Sequence, residues 1–305
     1  MQSPPKGVAR TKASSHAHCT IGDFGVSLYS DLRQVLDDFL ALYPQKTIES
    51  TQHDRTIRLE VRRAGRSAIG RALYRVTADG QEIGGQYPSY GVFPLVEWGI
   101  NLRIMATRSK FVQLHAASMV FQGNGFIFAG DSGCGKSTLA ATLLAHGWQY
   151  LCDEFALIDA DSLLLNPFPK ALCIKAGSYP VIRKLGLPFA RRRDYVKAFK
   201  GRVGYINPRD FETDRIGHPA PVRFIVFPTF KEDAAPSLTP IARADAATEL
   251  YRCCFNKGAL PAGALPTLTA LVRKAECFRL VVGSPFETAR LIESVCTPSP
   301  RQESQ

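Results

Sequence analysis

Eight consecutive residues, Gly130-Asp131-Ser132-Gly133-Cys134-Gly135-Lys136-Ser137, fill every fixed position of the phosphate-loop pattern G-x-x-x-x-G-K-[ST]. The residue types suit the chemistry. Glycines carry no Cβ, so the chain can wrap closely round phosphate oxygens and turn successive N–H groups inward as an anion-binding nest. A helix starting near Lys136 aims its positive end at the same oxygens. Lys136 can reach the β- and γ-phosphates. Ser137, followed by Thr138, offers a hydroxyl to Mg2+, which prefers hard oxygen ligands. One helix and a turn further on come Asp153 and Glu154, an acidic pair at the end of an apolar run. In phosphate-loop sites such acids hold the metal or take the proton of the attacking group. His115, between two apolar runs ahead of the loop, is placed to reach the mouth of the same site.

These residues need strands and helices to carry them. Phe126–Ala129 reads as a buried strand entering the loop, and Leu139, Leu143 and Leu144 as the helix leaving it, stopped at Gly147. Further strands are expected at Phe111–Leu114, Ser118–Phe121, Tyr150–Cys152, Phe155–Ile158 and Leu163–Leu165. Another is expected at Phe224–Phe227, stopped by Pro228, and a late one at Phe278–Val282. Ala244–Phe255, Ala264–Ala275 and Pro285–Val295 read as helices. Before this region lies a small α+β region. It has one strand over Ile21–Tyr29, a helix over Asp31–Tyr43 ended by Pro44, and a strand at Ile57–Val61. A hairpin follows at Leu73–Val76 and Gln81–Ile83 round Asp79-Gly80, then a helix over Phe93–Met105. The expected division is a disordered basic tail over 1–19, an N-terminal α+β region over 20–108, a phosphate-loop domain over 109–296 and a loose tail over 297–305.

The chain has 305 residues, 45% hydrophobic and 21% charged, an ordinary globular composition. It shows no apolar run of membrane-span length and no secretory pattern at its start. The 8 cysteines lack metal-type pairs and read as buried thiols of a reducing cytoplasm. His16, His18 and Cys19, assigned to the tail, are a weak metal candidate. A net charge of +11 comes without any nucleic-acid-binding signature, so neither nucleic acid nor membrane is an expected partner. The densest basic stretch, Arg183 to Arg202, reads as a mobile loop. It could serve as a lid over phosphates, with Lys200 or Arg202 neutralising charge, or as a docking face for an acidic partner.

Leu114-His115-Ala116-Ala117, the loop from Gly130 to Ser137 and Asp153-Glu154 together resemble the HPr serine kinase family, closest to its HPr-kinase-related kinase A branch. Phe93-Pro94-Leu95-Val96-Glu97-Trp98-Gly99 and Asp153 to Ile158 match the texture of that branch, and the likeness covers roughly residues 20 to 295. The resemblance implies an α/β fold of the HPr kinase and carboxykinase type, a mixed sheet with helices. It also implies an ATP-dependent, Mg2+-dependent serine kinase. Asp153 would be the general base, His115 would position it, Lys136 would bind the transferring phosphate, and Ser137 with Glu154 would serve the metal. The acceptor implied is a serine of a small protein or peptide, and a homo-oligomer is compatible with it. Two departures stand out. Glu154 replaces an Asp, and Leu172-Cys173-Ile174-Lys175-Ala176 occupies the place of an Arg-Gly signature, with Lys175 as the substitute charge. The reverse reaction, phosphorolysis of phosphoserine, is therefore not carried over. A nucleotide-dependent switch without transfer and a small-molecule kinase are the alternative readings.

Overall fold

The computed structural model describes residues 15–43, 56–107, 110–190, 194–198, 200–211 and 215–296. The tail expectations for 1–14 and 297–305 lie outside them, as do Arg191–Arg193 of the basic stretch. The N-terminal region runs β1 (Ser15–Ile21), β2 (Phe24–Ser30), α1 (Arg33–Leu42), β3 (Thr56–Arg66), β4 (Ala72–Ala78), β5 (Gln81–Glu82) and α2 (Ser89–Ala106). Its five strands form one sheet in sequential order. The single strand expected over Ile21–Tyr29 is instead the end of β1, a hairpin turn and most of β2, with Ile21 paired to Phe24. Gly22 makes that turn at φ +57°, and a Cβ there would sit 2.6 Å from the Pro167 carbonyl oxygen. Residues 15–19, assigned to the tail, therefore belong to β1. There His18 Nδ1 and Ser27 Oγ are 2.8 Å apart and Cys19 is fully buried, so the trio makes no metal site. Asp79 (φ 47°) and Gly80 (φ 81°) make the expected tight turn between β4 and β5.

The rest of the chain begins with β6 (Phe111–Leu114), β7 (Ala116–Phe121), β8 (Asn124–Ala129), α3 (Lys136–Ala145), β9 (Gln149–Cys152), β10 (Ala156–Asp159) and β11 (Leu164–Asn166). It continues with β12 (Leu172–Lys175), α4 (Tyr179–Lys184), β13 (Tyr195–Lys197), β14 (Gly201–Ile206), β15 (Ala220–Phe230) and β16 (Ser237–Pro240). It ends with α5 (Arg243–Arg252), α6 (Leu265–Lys274), β17 (Glu276–Val282) and α7 (Pro285–Ser294). A nine-stranded mixed sheet runs β6-β10-β11-β15-β8-β7-β9, with β17 also on β15 and β16 on β17. At its centre β15 is parallel to both β8 and β17. That accounts for the uninterrupted apolar run Phe126-Ile127-Phe128-Ala129, which is buried throughout. Phe126 stacks on Phe224 at 4.5 Å and meets Trp148 edge-on at 4.6 Å, filling the space under α3.

Two expectations fail for identifiable reasons. Pro228 does not stop its strand, because β15 continues to Phe230. Pairing with β8 ends at Val226, so one edge of β15 is free there and a missing N–H need break no ladder bond. The basic stretch contains the end of α4, then β13 and the start of β14, two strands of a three-stranded sheet of order β12-β14-β13. Leu187 and Tyr195 within the stretch, and Ile182 of α4 just before it, are buried and anchor it, while Leu185 and Phe189 are half-buried and Val196 is exposed. Tyr195 and Tyr205 pack with Phe93 of α2 at 5.5 and 5.1 Å, so the N-terminal sheet and the second region share one core. Among the described residues no helix is long and apolar enough to cross a membrane.

Candidate phosphate-binding and phosphotransfer site

Strand direction assembles the site. β7 is antiparallel to both β8 and β9, so its first residues lie opposite their last. Ala116 pairs with Ala129 and Ser118 with Cys152. His115 before β7, Gly130 after β8 and Asp153 after β9 therefore meet at one end of the sheet. This is also the carboxyl end of the parallel strands β8 and β15, where open α/β sheets bind ligands.

The loop from Gly130 to Ser137 turns back on itself into α3. Gly133 and Gly135 sit at φ +102° and +98°, where a side chain would be strained, and Gly135 opens the helix with no side-chain cap. The first N–H groups of α3 are left for an anion. Lys136 is largely buried, and its ammonium donates to the Gly130 carbonyl at 2.5 Å and the Asp131 carbonyl at 2.8 Å. A cleft of about 130 Å³ lies over the loop, lined by Ser132, Gly133, Gly135, Lys136, Ser137 and Thr138. Its far wall is His115, Asp153, Glu154, Lys175, Lys197 and Lys200. Of the sequence-derived residues, Gly130 and Asp131 instead line an adjoining depression of about 230 Å³ that also contains His115, Arg252 and Phe255. Cys134 sits on the back of the loop, with Sγ 3.7 Å from the Lys136 ammonium.

The two acids differ. Asp153 is almost fully buried, and it accepts from the Tyr150 hydroxyl at 3.2 Å and the Cys173 N–H at 3.4 Å. Burial, then the neighbouring Glu154 charge, pushes its carboxyl up to about 7. Glu154 goes the other way. Burial opposes its charge, but Lys170, Lys197 and the Asn101 amide outweigh that and hold it well below the usual carboxylate range. Environments that separate two adjacent acids in this way divide a proton acceptor from a fixed anion. His115 is pushed down by burial and by Lys136, which favours its neutral form. Its backbone N–H is tied to the Cys253 carbonyl at 2.8 Å, and its ring packs 5.6 Å from that of Phe255. The bonds on Asp153 come from Tyr150, Cys173 and the Ser137 hydroxyl rather than from His115.

The donor set fits Mg2+, which takes one or two carboxylates and completes its shell with phosphate and water. The Ser137 hydroxyl and two carboxylates face one cleft, although among the described residues no group of three or more His, Cys, Asp or Glu forms an all-protein cage. Arg202 turns to Asp194 instead of the cleft, whereas Lys200 lines it. Composition and spacing gave no sign of Lys170, Glu97 or Asn101, which lie around Glu154. A larger cavity of about 740 Å³ adjoins the other side of the loop. It shares Gly133, Gly135, Thr138 and Ser178 with the cleft and adds Phe230 and Val181.

No protein-family profile matches this chain, and no curated protein does. Solved structures that match include the Hpr(Ser) kinase/phosphatase from Coxiella burnetii. The identity is 12%, over 60% of this chain and 95% of that one, with a TM-score of 0.30. At that score the likeness carries no argument, and the functional reading stands on the site's own geometry.

Proposed function

We propose that this chain is a kinase that moves the γ-phosphate of ATP to a serine hydroxyl of a small protein or peptide. The observation that carries the reading is Asp153, a buried acid held near neutral pKa in the same cleft as Lys136 and Ser137. A proton acceptor with that pKa suits transfer from a hydroxyl near pH 7. A switch that only binds nucleotide does not need one.

Lys136, the open N–H groups of α3 and the glycine turns hold the phosphates. Lys175, Lys197 and Lys200 add positive charge on the opposite wall, and this excess suits a polyphosphate. The 740 Å³ cavity has room for the base and ribose that the cleft itself cannot hold. Ser137 and Glu154 would hold Mg2+, which when bound neutralises charge on the phosphate oxygens. The serine hydroxyl gives its proton to Asp153 while its oxygen bonds to the γ-phosphorus. The bond from that phosphorus to the bridging oxygen breaks, and the electron pair leaves with ADP. The depression beside His115 and Phe255 supports approach of an acceptor chain from the side away from the nucleoside cavity. All 8 cysteines are free thiols, in keeping with a cytoplasmic setting.

The test is intact mass spectrometry of candidate small proteins and peptides after incubation with the protein and Mg-ATP, with Lys136→Ala as control. One added phosphate, absent with the control, is expected. ATP binding with no added mass on any candidate would refute the acceptor assignment.

A further inference from the structure

A buried network joins the N-terminal region to Glu154. Glu97 and Asn101 are one helical turn apart on α2 and point the same way, into the second region. Lys170 is 2% exposed, and its ammonium lies 3.0 Å from Glu97 Oε2 and 3.6 Å from Glu154 Oε2. The same ammonium donates to Asn101 Oδ1, and Asn101 Nδ2 donates to Glu154 Oε2. Glu97 is fixed in turn by the Tyr43 hydroxyl at 2.8 Å, which itself accepts the Ala171 N–H at 3.1 Å. On the other side Lys197, from β13 packed against α2, lies 3.8 Å from Glu154 Oε1.

The chemistry leaves little freedom. An ammonium only donates and a carboxylate only accepts, so the Asn101 amide must turn its oxygen to Lys170 and its nitrogen to Glu154. That fixes one oxygen of Glu154 from behind and leaves the carboxylate presented to the cleft. A buried ion pair is a poor way to hold two regions together, since apolar side chains of the same volume often do so as well or better. Aiming a second carboxylate is a task that apolar side chains cannot perform.

We propose that Glu97, Asn101 and Lys170 are positioning residues that aim Glu154 at the metal and phosphate side of the cleft, making α2 of the N-terminal region part of the phosphotransfer machinery. The inference rests on the phosphate-site reading but not on the identity of the acceptor.

Two variants test it in the full chain. Asn101→Leu removes both amide bonds at similar volume. Glu97→Gln with Lys170→Met removes the buried pair together, so that no lone charge is left to unfold the protein. The probe is Mn2+ binding to the ATP-loaded protein, followed by electron paramagnetic resonance, alongside metal-free ATP affinity and the melting temperature. Loss of groups that orient a metal ligand typically weakens the metal about 10- to 100-fold. The expected result is that loss, with metal-free ATP affinity within about threefold of wild type and cooperative melting retained. Wild-type Mn2+ affinity in both folded variants would overturn the proposal, as would an equal loss of metal-free ATP binding. A wild-type protein that binds Mn2+ and ATP but transfers nothing to serine would refute the kinase reading and leave the positioning role standing. A wild-type protein that binds neither would refute both.

Discussion

Replacing Asp153 with Asn separates the proton acceptor from everything else in the cleft. The change keeps shape and removes a charge that burial disfavours. The local bonds can be remade. The new amide oxygen can accept the Cys173 N–H, and its NH2 can donate to the Tyr150 hydroxyl, which is able to accept. Folding therefore should not suffer. Asp153 ionises near pH 4 when unfolded but at about 7 when folded, so the folded state binds the extra proton. Its contribution to stability is then fully present below pH 4 and is lost as pH rises to about 7. An amide cannot titrate, so Asp153→Asn should melt no lower than wild type at pH 8. Catalysis should suffer strongly. A positioned base contributes about 10²- to 10⁴-fold, or about 3–5 kcal/mol of barrier. Single-turnover transfer from Mg-ATP, read by intact mass, should slow by that factor while ATP affinity stays within about threefold. Transfer within threefold of wild type would refute the general-base assignment. A collapse of ATP binding together with folding would show that Asp153 is structural.

The same carboxyl predicts that kcat/KM rises with pH through about 7 and then levels, and a flat profile from pH 5.5 to 8 would contradict it. Lys136→Ala should weaken ATP about 10- to 100-fold by calorimetry, because it removes charge-assisted bonds to phosphate, while the melting temperature moves little. Trp148→Ala removes a fully buried ring packed against Phe121 and Phe126, and should cost about 3–5 kcal/mol in a urea titration. The α2 variants should split metal affinity from nucleotide affinity as described above.

Much of the site is legible in the sequence because its parts are local. The phosphate loop, the helix it opens and the acidic pair are each a run of adjacent residues, and their order follows from strand, turn and helix chemistry. His115 lines the cleft because an antiparallel neighbour of the loop strand has nowhere else to begin. The hairpin at Gly22 carries a usable turn dipeptide, Gly22-Asp23, but the polar alternate positions of β1, Ser15-His16-Ala17-His18-Cys19-Thr20-Ile21, read as tail rather than strand. In the Arg183–Arg202 stretch, charge count hides two well-spaced apolar residues, Leu187 and Tyr195, that bury almost completely. Lys170, Glu97 and Asn101 cannot be found by spacing, since the contact joins residues about seventy positions apart. The available signal is chemical. Glu97 and Asn101 are polar residues at i and i+4 in a largely apolar helix, which asks for a buried polar partner.

The central claim is that phosphate leaves ATP for a serine, and the most direct measurement follows a γ-phosphate label. The protein is incubated with labelled Mg-ATP and a candidate acceptor, and the protein fraction is hydrolysed for phosphoamino-acid analysis. Label recovered as phosphoserine, and lost with Lys136→Ala and with Asp153→Asn, is the predicted result. Label found only as free phosphate or unspent ATP, with the nucleotide demonstrably bound, would contradict the account.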